Sequence, residues 1–243
     1  MYIIKLDATA STNQYLKQLA LENQLNDFTV VFTEKQTQGR GQMGADWISE
    51  PGKNLTFSIL KKFKDFKVIN QVYFNCAVSL ALYDTLRDLS VPDLKVKWPN
   101  DIMSGNDKVC GILIENILKG NQIGQSIIGI GLNVNQRDFG ELKNVSSLQL
   151  LLGRPIDLDN LMNQIVTSLK VRLKVLDSIN MKDLKDTYES VLFRKAKPST
   201  FLDSSKTRFM GFIKGLSTEG KLIIQLEDEV LKEFGVKEVR LLY

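Results

Sequence analysis

The chain has 243 residues, 43% hydrophobic and 25% charged, so it has the composition of a globular protein and enough length for one large domain or one domain with an appendix. Because histidine is absent, the sequence excludes a His–Asp pair, a histidine-activated nucleophile and a histidine-bound metal. The net charge of +4 suits anionic ligands, but the basic residues are spread out and indicate no specific nucleic-acid binding.

The first 134 residues alternate between strand and helix patterns. Ser11 or Thr12 is expected to cap the first helix. Tight turns at 104–107 and 119–121 predict two hairpins. We expect strands at 2–6, 28–33, 54–60, 94–98, 109–118 and 122–134, and helices after residue 12 and over 72–89. Hairpins of this kind predict an α+β fold with a mixed, mainly antiparallel sheet and flanking helices.

The pattern changes along the rest of the chain. A helix is predicted to begin at 157–159, and 181–192 is expected to be helical too. After residue 195 only short alternating strands follow, separated by turns such as Ser217–Gly220. We therefore expect a main domain at 1–194 and a small β barrel at 195–243.

The sequence also bears on membrane association and on the compartment. No run of about 18 apolar residues predicts a membrane span, and the first residues are too mixed for a signal peptide. Cys76 and Cys110 are too few for a disulfide framework or a zinc cluster, and their apolar surroundings predict reduced core residues. We expect a cytoplasmic protein without a membrane partner.

A glycine-rich stretch follows the predicted strand 28–33. Residues 39–44, Gly-Arg-Gly-Gln-Met-Gly, match the dinucleotide fingerprint G-x-G-x-x-G literally. That fingerprint needs a helix that begins inside the motif, whereas Trp47, Pro51 and Gly52 follow here and the next element is a strand. The stretch therefore predicts an anion-binding loop of backbone N–H groups around Arg40 rather than a Rossmann motif.

Three further stretches could carry chemistry. Residues 95–101, Lys-Val-Lys-Trp-Pro-Asn-Asp, end a strand with Asn100 and Asp101, which could act on a ligand or simply form a turn. Residues 108–115 begin with a lysine, either functional or solvated, before an in-strand glycine. Residues 129–135 carry Gly-x-Gly-x-Asn, which indicates either close approach of a ligand or another backbone, or a bulge or tight packing.

In this order the motifs resemble the biotin protein ligase family. The resemblance is carried by Ser11-Thr12-Asn13, Gln36-x-x-Gly39-Arg40-Gly41, Lys97-Trp98-Pro99-Asn100-Asp101, Lys108-x-x-Gly111-Ile112-Leu113-x-Glu115 and Gly129-x-Gly131-x-Asn133. It implies a class II synthetase-like ligase fold with a C-terminal SH3-like barrel. It also implies an enzyme that joins biotin to ATP as biotinyl-5′-AMP and transfers biotin to a lysine of a biotin carboxyl carrier protein of acetyl-CoA carboxylase or a related carboxylase.

The resemblance also implies roles for individual residues. Arg40, Lys108 and Asp101 would be catalytic, with Asp101 steering the proton of the acceptor lysine. Biotin would be bound by Ser11, Thr12, Asn13, Gln36, Arg40, Gly41, Gln42, Lys108 and Gly111. ATP or the adenylate would be bound by Arg40, Trp47, Lys97, Asn100, Lys108 and Asn133. No resident metal is expected, because Mg²⁺ would enter with ATP.

Some alternatives remain beside this hypothesis. The main one is a lipoate protein ligase, which shares the fold and the two-step adenylation. The glycine-rich loop has no cation after Arg40, unlike many members, which predicts faster release of the adenylate. No helix-turn-helix precedes the first strand, so a ligase without operator binding is expected. A homodimer formed by sheet edges is possible.

Overall fold

The computed structural model describes residues 2–177 and 181–243. Its main feature is a seven-stranded sheet. The strands in chain order are β1 (Ile3–Thr9), β2 (Val30–Gln36), β3 (Leu55–Lys67), β4 (Leu94–Lys97), β5 (Asp101–Ser104), β6 (Asp107–Lys119) and β7 (Gln122–Leu132). In space their order is β1-β2-β3-β7-β6-β5-β4.

The pairing of these strands confirms the predicted sheet. Only β1 and β2 are parallel; every other neighbouring pair is antiparallel. The hairpins predicted at 104–107 and 119–121 join β5 to β6 and β6 to β7. The long β3, β7 and β6 form the centre of the sheet, where two-residue periodicity directs alternate side chains to opposite faces.

Helices cover both faces of this sheet. They are α1 (Thr12–Glu22), α2 (Gln71–Asp88), α3 (Leu148–Leu152), α4 (Leu158–Lys174) and α5 (Met181–Ser190), of which α3 was not predicted. On one face Leu16 of α1 packs with Val31, Leu60 and Ile127. On the other face α2, whose buried side is mainly apolar, packs with α4 and α5 in the larger core. The sheet is therefore buried on both sides.

The C-terminal strands form a second sheet. They are β8 (Pro198–Asp203), β9 (Arg208–Leu216), β10 (Leu222–Leu226), β11 (Leu231–Phe234) and β12 (Val239–Leu242). All pairs are antiparallel, in the order β11-β10-β9-β8-β12. Within 195–243, which the structure describes throughout, no ladder joins β11 to β12. The short strands predicted after residue 195 are present as one antiparallel sheet, whereas its closure into a barrel and the boundary at 194/195 stay predictions.

Specific contacts fix the second sheet against the first. The Glu189 carboxylate accepts a hydrogen bond from the backbone N–H of Leu216 at 2.9 Å. The indole N–H of Trp98, just after β4, donates to the carbonyl of Gly220 at 3.0 Å. The turn after β11 lies in the wall of a cavity at the main sheet, through Val236 and Lys237.

Candidate active site

A cavity of about 300 Å³ lies where the start of α1, the glycine-rich loop and the ends of β5, β6 and β7 meet. It brings together most of the residues singled out in the sequence. Those in its wall are Ser11, Thr12, Asn13, Gln36, Arg40, Gly41, Gln42, Trp47, Asn100, Asp101, Lys108 and Gly111. Their roles stay predictions, but one cavity contains both their neutral and their charged side chains.

The start of α1 orients Gln36. Ser11 is the N-cap of the helix, as one of the two predicted caps, and its hydroxyl accepts from the N–H of Gln14 at 3.5 Å. Gln36 Oε1 accepts from Thr12 N at 2.8 Å and from the Thr12 hydroxyl at 3.1 Å. Because a backbone N–H can only donate, the oxygen end of Gln36 faces the helix. Its Nε2 donors are then left for other partners.

The buried Asn13 side chain is oriented in the same way. Its Nδ2 donates to Glu115 Oε2 at 2.8 Å and to the Leu113 carbonyl at 3.3 Å. Its Oδ1 lies 2.6 Å from the hydroxyl of Ser58, which is also 2.8 Å from the Thr12 hydroxyl. Both amide protons are therefore used within the protein, while Oδ1 keeps one lone pair. We call Ser11, Thr12, Asn13, Gln36 and Ser58 the neutral end of the cavity.

The glycines of β7 make room for this arrangement. A Cβ at Gly129 would lie 2.3 Å from Asn13 Oδ1, and a Cβ at Gly131 would lie 2.4 Å from the indole of Trp47. The sequence indicated close approach of a ligand or another backbone, or else a bulge or tight packing, at these glycines. The structure shows tight packing by side chains of the same chain, since any larger residue would displace Asn13 or Trp47.

Backbone hydrogen bonds close the glycine-rich loop on itself. We call residues 39–47 the glycine loop. Trp47 N donates to the Gly39 carbonyl at 3.0 Å, and Gly41 N donates to the Ala45 carbonyl at 2.6 Å. Residues 42–44 form a single 3₁₀ turn rather than the start of an α-helix. The dinucleotide interpretation is thus excluded by the local backbone, as the sequence context predicted.

Charged side chains line the opposite part of the cavity. Lys108 Nζ lies 2.7 Å from Asp101 Oδ1 and 5.7 Å from the centroid of the Trp47 ring. Arg40 is exposed, and within the described part of the chain it makes no salt bridge. Asn100 donates through its amide to the Ile112 carbonyl at 2.6 Å, which fixes the turn before Asp101. We call Arg40, Asp101 and Lys108 the charged end of the cavity.

Two predicted ligand-binding residues lie outside this cavity wall. Lys97 donates to the Tyr243 hydroxyl at 2.9 Å, and its Nζ lies 4.6 Å from the Tyr243 ring centroid. Asn133 is buried, and its amide donates to the Ser146 carbonyl at 3.1 Å. Binding of the adenylate by either side chain stays a prediction, and it would require them to exchange these partners.

Sequence reasoning assigned no role to several residues at the site. Ser58 and Glu115 hold the neutral end, and Val236 and Lys237 from the turn after β11 reach the cavity wall. Ser58 carried one available signal, because it alternates with Thr56 as a polar position in an apolar strand. Val236 and Lys237 are more than 120 residues from Lys108 in the sequence, and no local signal indicates that they line the same cavity.

The described residues contain no group of three or more His, Cys, Asp or Glu side chains arranged to hold a metal. The carboxylates that reach the cavity are Asp46 and Asp101, and Asp101 is paired with Lys108. This donor set suits a Mg²⁺ ion that keeps most of its ligands as phosphate oxygens and water.

The cysteines lack the properties of a nucleophile. Both are free and buried, as predicted. Burial raises the pKa of the Cys76 thiol to about 12 and also raises the pKa of the Cys110 thiol well above its ordinary value. A thiol of this kind is almost wholly protonated at neutral pH, so the chemistry of the cavity rests on its oxygen and nitrogen groups.

Comparisons with known proteins agree with this geometry. Residues 6–133 match the model of the Biotin/lipoate A/B protein ligase family. The Bifunctional ligase/repressor BirA of Bacillus subtilis is 28% identical over 238 residues, covering 96% of this chain and 72% of that protein. The Biotin--[acetyl-CoA-carboxylase] ligase of Paracoccus denitrificans is 26% identical over 227 residues, covering 90% and 92%.

Solved structures are similar over the whole chain. The biotin protein ligase from Aquifex aeolicus in complex with biotin and ATP superposes with a TM-score of 0.80 at 27% sequence identity, covering 99% of this chain and 98% of that one. The family match alone spans more than half of the sequence and contains α1, the glycine loop and the charged end. The chain therefore belongs to the biotin/lipoate A/B protein ligase family.

Proposed function

We infer that the chain is a biotin protein ligase, which activates biotin with ATP as biotinyl-5′-AMP and transfers biotin to a lysine of a carrier protein. One observation carries this conclusion. A single cavity presents a fixed acceptor, Asn13 Oδ1, and fixed donors on Gln36 Nε2 at one end, and the cations Arg40 and Lys108 at the other. A cyclic urea joined to a carboxylate requires that combination.

In the first step a biotin carboxylate oxygen attacks the α-phosphorus of ATP, and pyrophosphate leaves. Both reactants are anions, so the site must offset their repulsion. We assign Arg40 and Lys108 to this role, with Lys108 held beside Asp101 at 2.7 Å. Catalysis is then mainly positioning together with stabilisation of charge that develops on the phosphate.

In the second step the amine of the acceptor lysine attacks the biotinyl carbonyl, and AMP leaves. The amine must first lose a proton, because a free lysine has a pKa near 10.4. We assign Asp101 as the carboxylate that takes or steers this proton. The pairing of Asp101 with Lys108 would connect the two steps, because Lys108 faces the α-phosphate in the first step.

Mg²⁺ would supply additional positive charge on the phosphates of ATP. Asp101 and Asp46 are the cavity carboxylates that could contribute a ligand to it. The protein's own share of anion binding would remain with Arg40 and Lys108. The absence of a further cation in residues 41–46 also supports rapid release of the adenylate, relative to members with a basic loop.

Partners and compartment form part of the proposal. The acceptor would be a biotin carboxyl carrier protein of acetyl-CoA carboxylase or a related carboxylase, as the name of the Paracoccus relative indicates for that protein. A cytoplasmic location, supported by the two free buried thiols, and an SH3-like C-terminal domain at 195–243 belong to the same proposal. A homodimer would use the edge strand β1 of the main sheet, because the outer edge of β4 is hydrogen-bonded to residues 191–193. No helix in the described residues has the length and hydropathy of a membrane span.

A lipoate protein ligase is the alternative within the same family. A dithiolane ring has no N–H to offer Asn13 Oδ1 and no carbonyl to accept from Gln36. Binding it would leave these buried groups without partners, which is the situation that gives strong discrimination between ligands. The neutral end therefore favours biotin.

Transfer of labelled biotin to a carrier domain, with ATP and Mg²⁺, tests the function. We expect ATP-dependent labelling of the carrier and no labelling when its acceptor lysine is replaced by arginine. Lipoate in place of biotin should give far less product. Efficient lipoate transfer without biotin transfer would assign the alternative, and the absence of either product with several carriers would refute ligase activity.

A further inference from the structure

Glu115 on β6 lies behind the neutral end. Its Oε2 accepts from Asn13 Nδ2 at 2.8 Å, and its Oε1 lies 3.5 Å from Lys17 Nζ. Asn13 itself is only 4% exposed, so its amide cannot be reoriented by solvent. The two ends of an amide have nearly the same shape, and packing alone does not decide which end faces the cavity.

Hydrogen-bond chemistry does decide it. An ionised carboxylate and a backbone carbonyl are acceptors only, so Glu115 and the Leu113 carbonyl both require the NH₂ end of Asn13. The Ser58 hydroxyl, 2.6 Å from Oδ1, can donate to the other end. A flipped amide would place Oδ1 against two acceptors. Glu115 therefore supplies the stronger, charge-assisted part of the preference.

We propose that Glu115 is a positioning residue that makes Asn13 present an acceptor to the cavity and thereby selects ligands with a ring N–H, a proposal that rests on the biotin ligase function. Glu115 itself does not line the cavity, so it acts through Asn13. A ligand that lacks the N–H leaves Asn13 Oδ1 short of one partner in a buried place. Selectivity within the neutral end thus depends on a carboxylate that the ligand never touches.

The salt bridge with Lys17 provides a matched control. Lys17 contacts the other oxygen of Glu115 and is only partly buried, so its removal leaves the acceptor facing Asn13 in place. An ion pair that is this accessible to solvent contributes little to stability. If Glu115 acted only through this ion pair, Lys17→Ala would reproduce the effect of its replacement.

The experiment measures kcat and KM for the purified full chain with biotin and with a carbocyclic analogue, in which CH₂ replaces both ring N–H groups. Wild type, Glu115→Ala, Glu115→Gln and Lys17→Ala are compared. We expect Glu115→Ala to raise KM for biotin about ten-fold and to reduce the preference for biotin over the analogue by a similar factor. KM for ATP should stay the same. Glu115→Gln should lie between, because its Oε1 can still accept, and Lys17→Ala should match the wild type.

The outcomes separate the two proposals. Glu115→Gln preserves shape, so it tests the inference even if Glu115→Ala folds poorly. An active wild type whose Glu115 variants keep its preference for biotin over the analogue would overturn the inference alone, as would Lys17→Ala reproducing the effect. A wild type that does not activate biotin with ATP would overturn the function and the inference together.

Discussion

The two ends of the cavity use different physical means. At the neutral end Thr12, Asn13 and Ser58 are 3%, 4% and 0% exposed, and each is fixed by short hydrogen bonds. At the charged end Arg40 is exposed, and the Lys108–Asp101 pair is only partly buried. Buried hydrogen bonds discriminate by direction, whereas accessible charges attract an anion from many directions. We conclude that recognition and chemistry are separated within one cavity.

This difference follows from the elements that hold each end. The neutral end lies on the first turn of α1 and on strands β2 and β3, which α1 covers. The charged end lies on the glycine loop and on the ends of β5 and β6. A ligand's ring would meet a preformed surface, while its reactive group would meet side chains that can adjust.

The largest expected effect is at the charged end. Lys108→Ala should lower the rate of adenylate formation by about 10²–10³-fold, because it removes a cation from the developing phosphate charge. KM for biotin should rise less than the rate falls, since Arg40 and the neutral end still bind the ligand. Pyrophosphate release in single turnover measures the rate. Lys5→Ala, which removes the same charge from the surface on β1, is the control; comparable losses in both would contradict a local role.

Asp101→Asn is expected to separate the two steps. Transfer to the carrier should fall about 10–100-fold, because the amide cannot take a proton. The rate of adenylate formation should fall less, and only because Lys108 loses the carboxylate that lies 2.7 Å from its Nζ. Mixing preformed adenylate with carrier measures the transfer rate, and pyrophosphate release measures the rate of adenylate formation. Equal losses in the two steps would contradict the assignment.

Gln36→Glu tests the neutral end. The carboxylate can still accept from Thr12, but it offers no donors to the ligand. We expect KM for biotin to rise about ten-fold or more, with transfer from preformed adenylate almost unchanged. Isothermal titration calorimetry with biotin alone would measure the affinity for biotin directly. An unchanged affinity would show that Gln36 Nε2 does not face the ring.

Salt concentration should distinguish the ends without mutation. Between about 0.05 and 0.5 M salt, KM for ATP should rise several-fold because exposed cations are screened. KM for biotin should change much less, since most of its hydrogen bonds are neutral and buried. Initial rates at fixed free Mg²⁺ measure both constants. Equal increases in KM for ATP and KM for biotin would contradict a physical difference between the two ends of the cavity.

Lys97→Ala should have the smallest effect and defines where the charged end stops. The Lys97 ammonium is held by Tyr243 outside the cavity wall. We expect KM for ATP to rise no more than about three-fold, as for a distant screened charge. A loss as large as that of Lys108→Ala would indicate that Lys97 leaves Tyr243 and reaches the phosphates.

The order of motifs predicted the family and most of the cavity. Each motif is local, and the Ser11 cap and the failure of the dinucleotide pattern follow from neighbouring residues alone. The contact between Asn13 and Glu115 joins residues 102 positions apart, and no local pattern encodes it. The same holds for Val236 and Lys237, which depend on how the second sheet packs. The direction of Asn133, towards Ser146, was likewise decided by packing.

The contacts of the two tryptophans have a practical consequence. Trp47 lies over Gly131 inside the cavity, and Trp98 bonds Gly220 of the second sheet. These are the only tryptophans in the sequence. Intrinsic fluorescence of this protein therefore has just two sources, one at the ligand and one at the junction between sheets. With Trp98→Phe, emission becomes an optical signal of cavity occupancy that needs no label, and with Trp47→Phe it follows the junction alone.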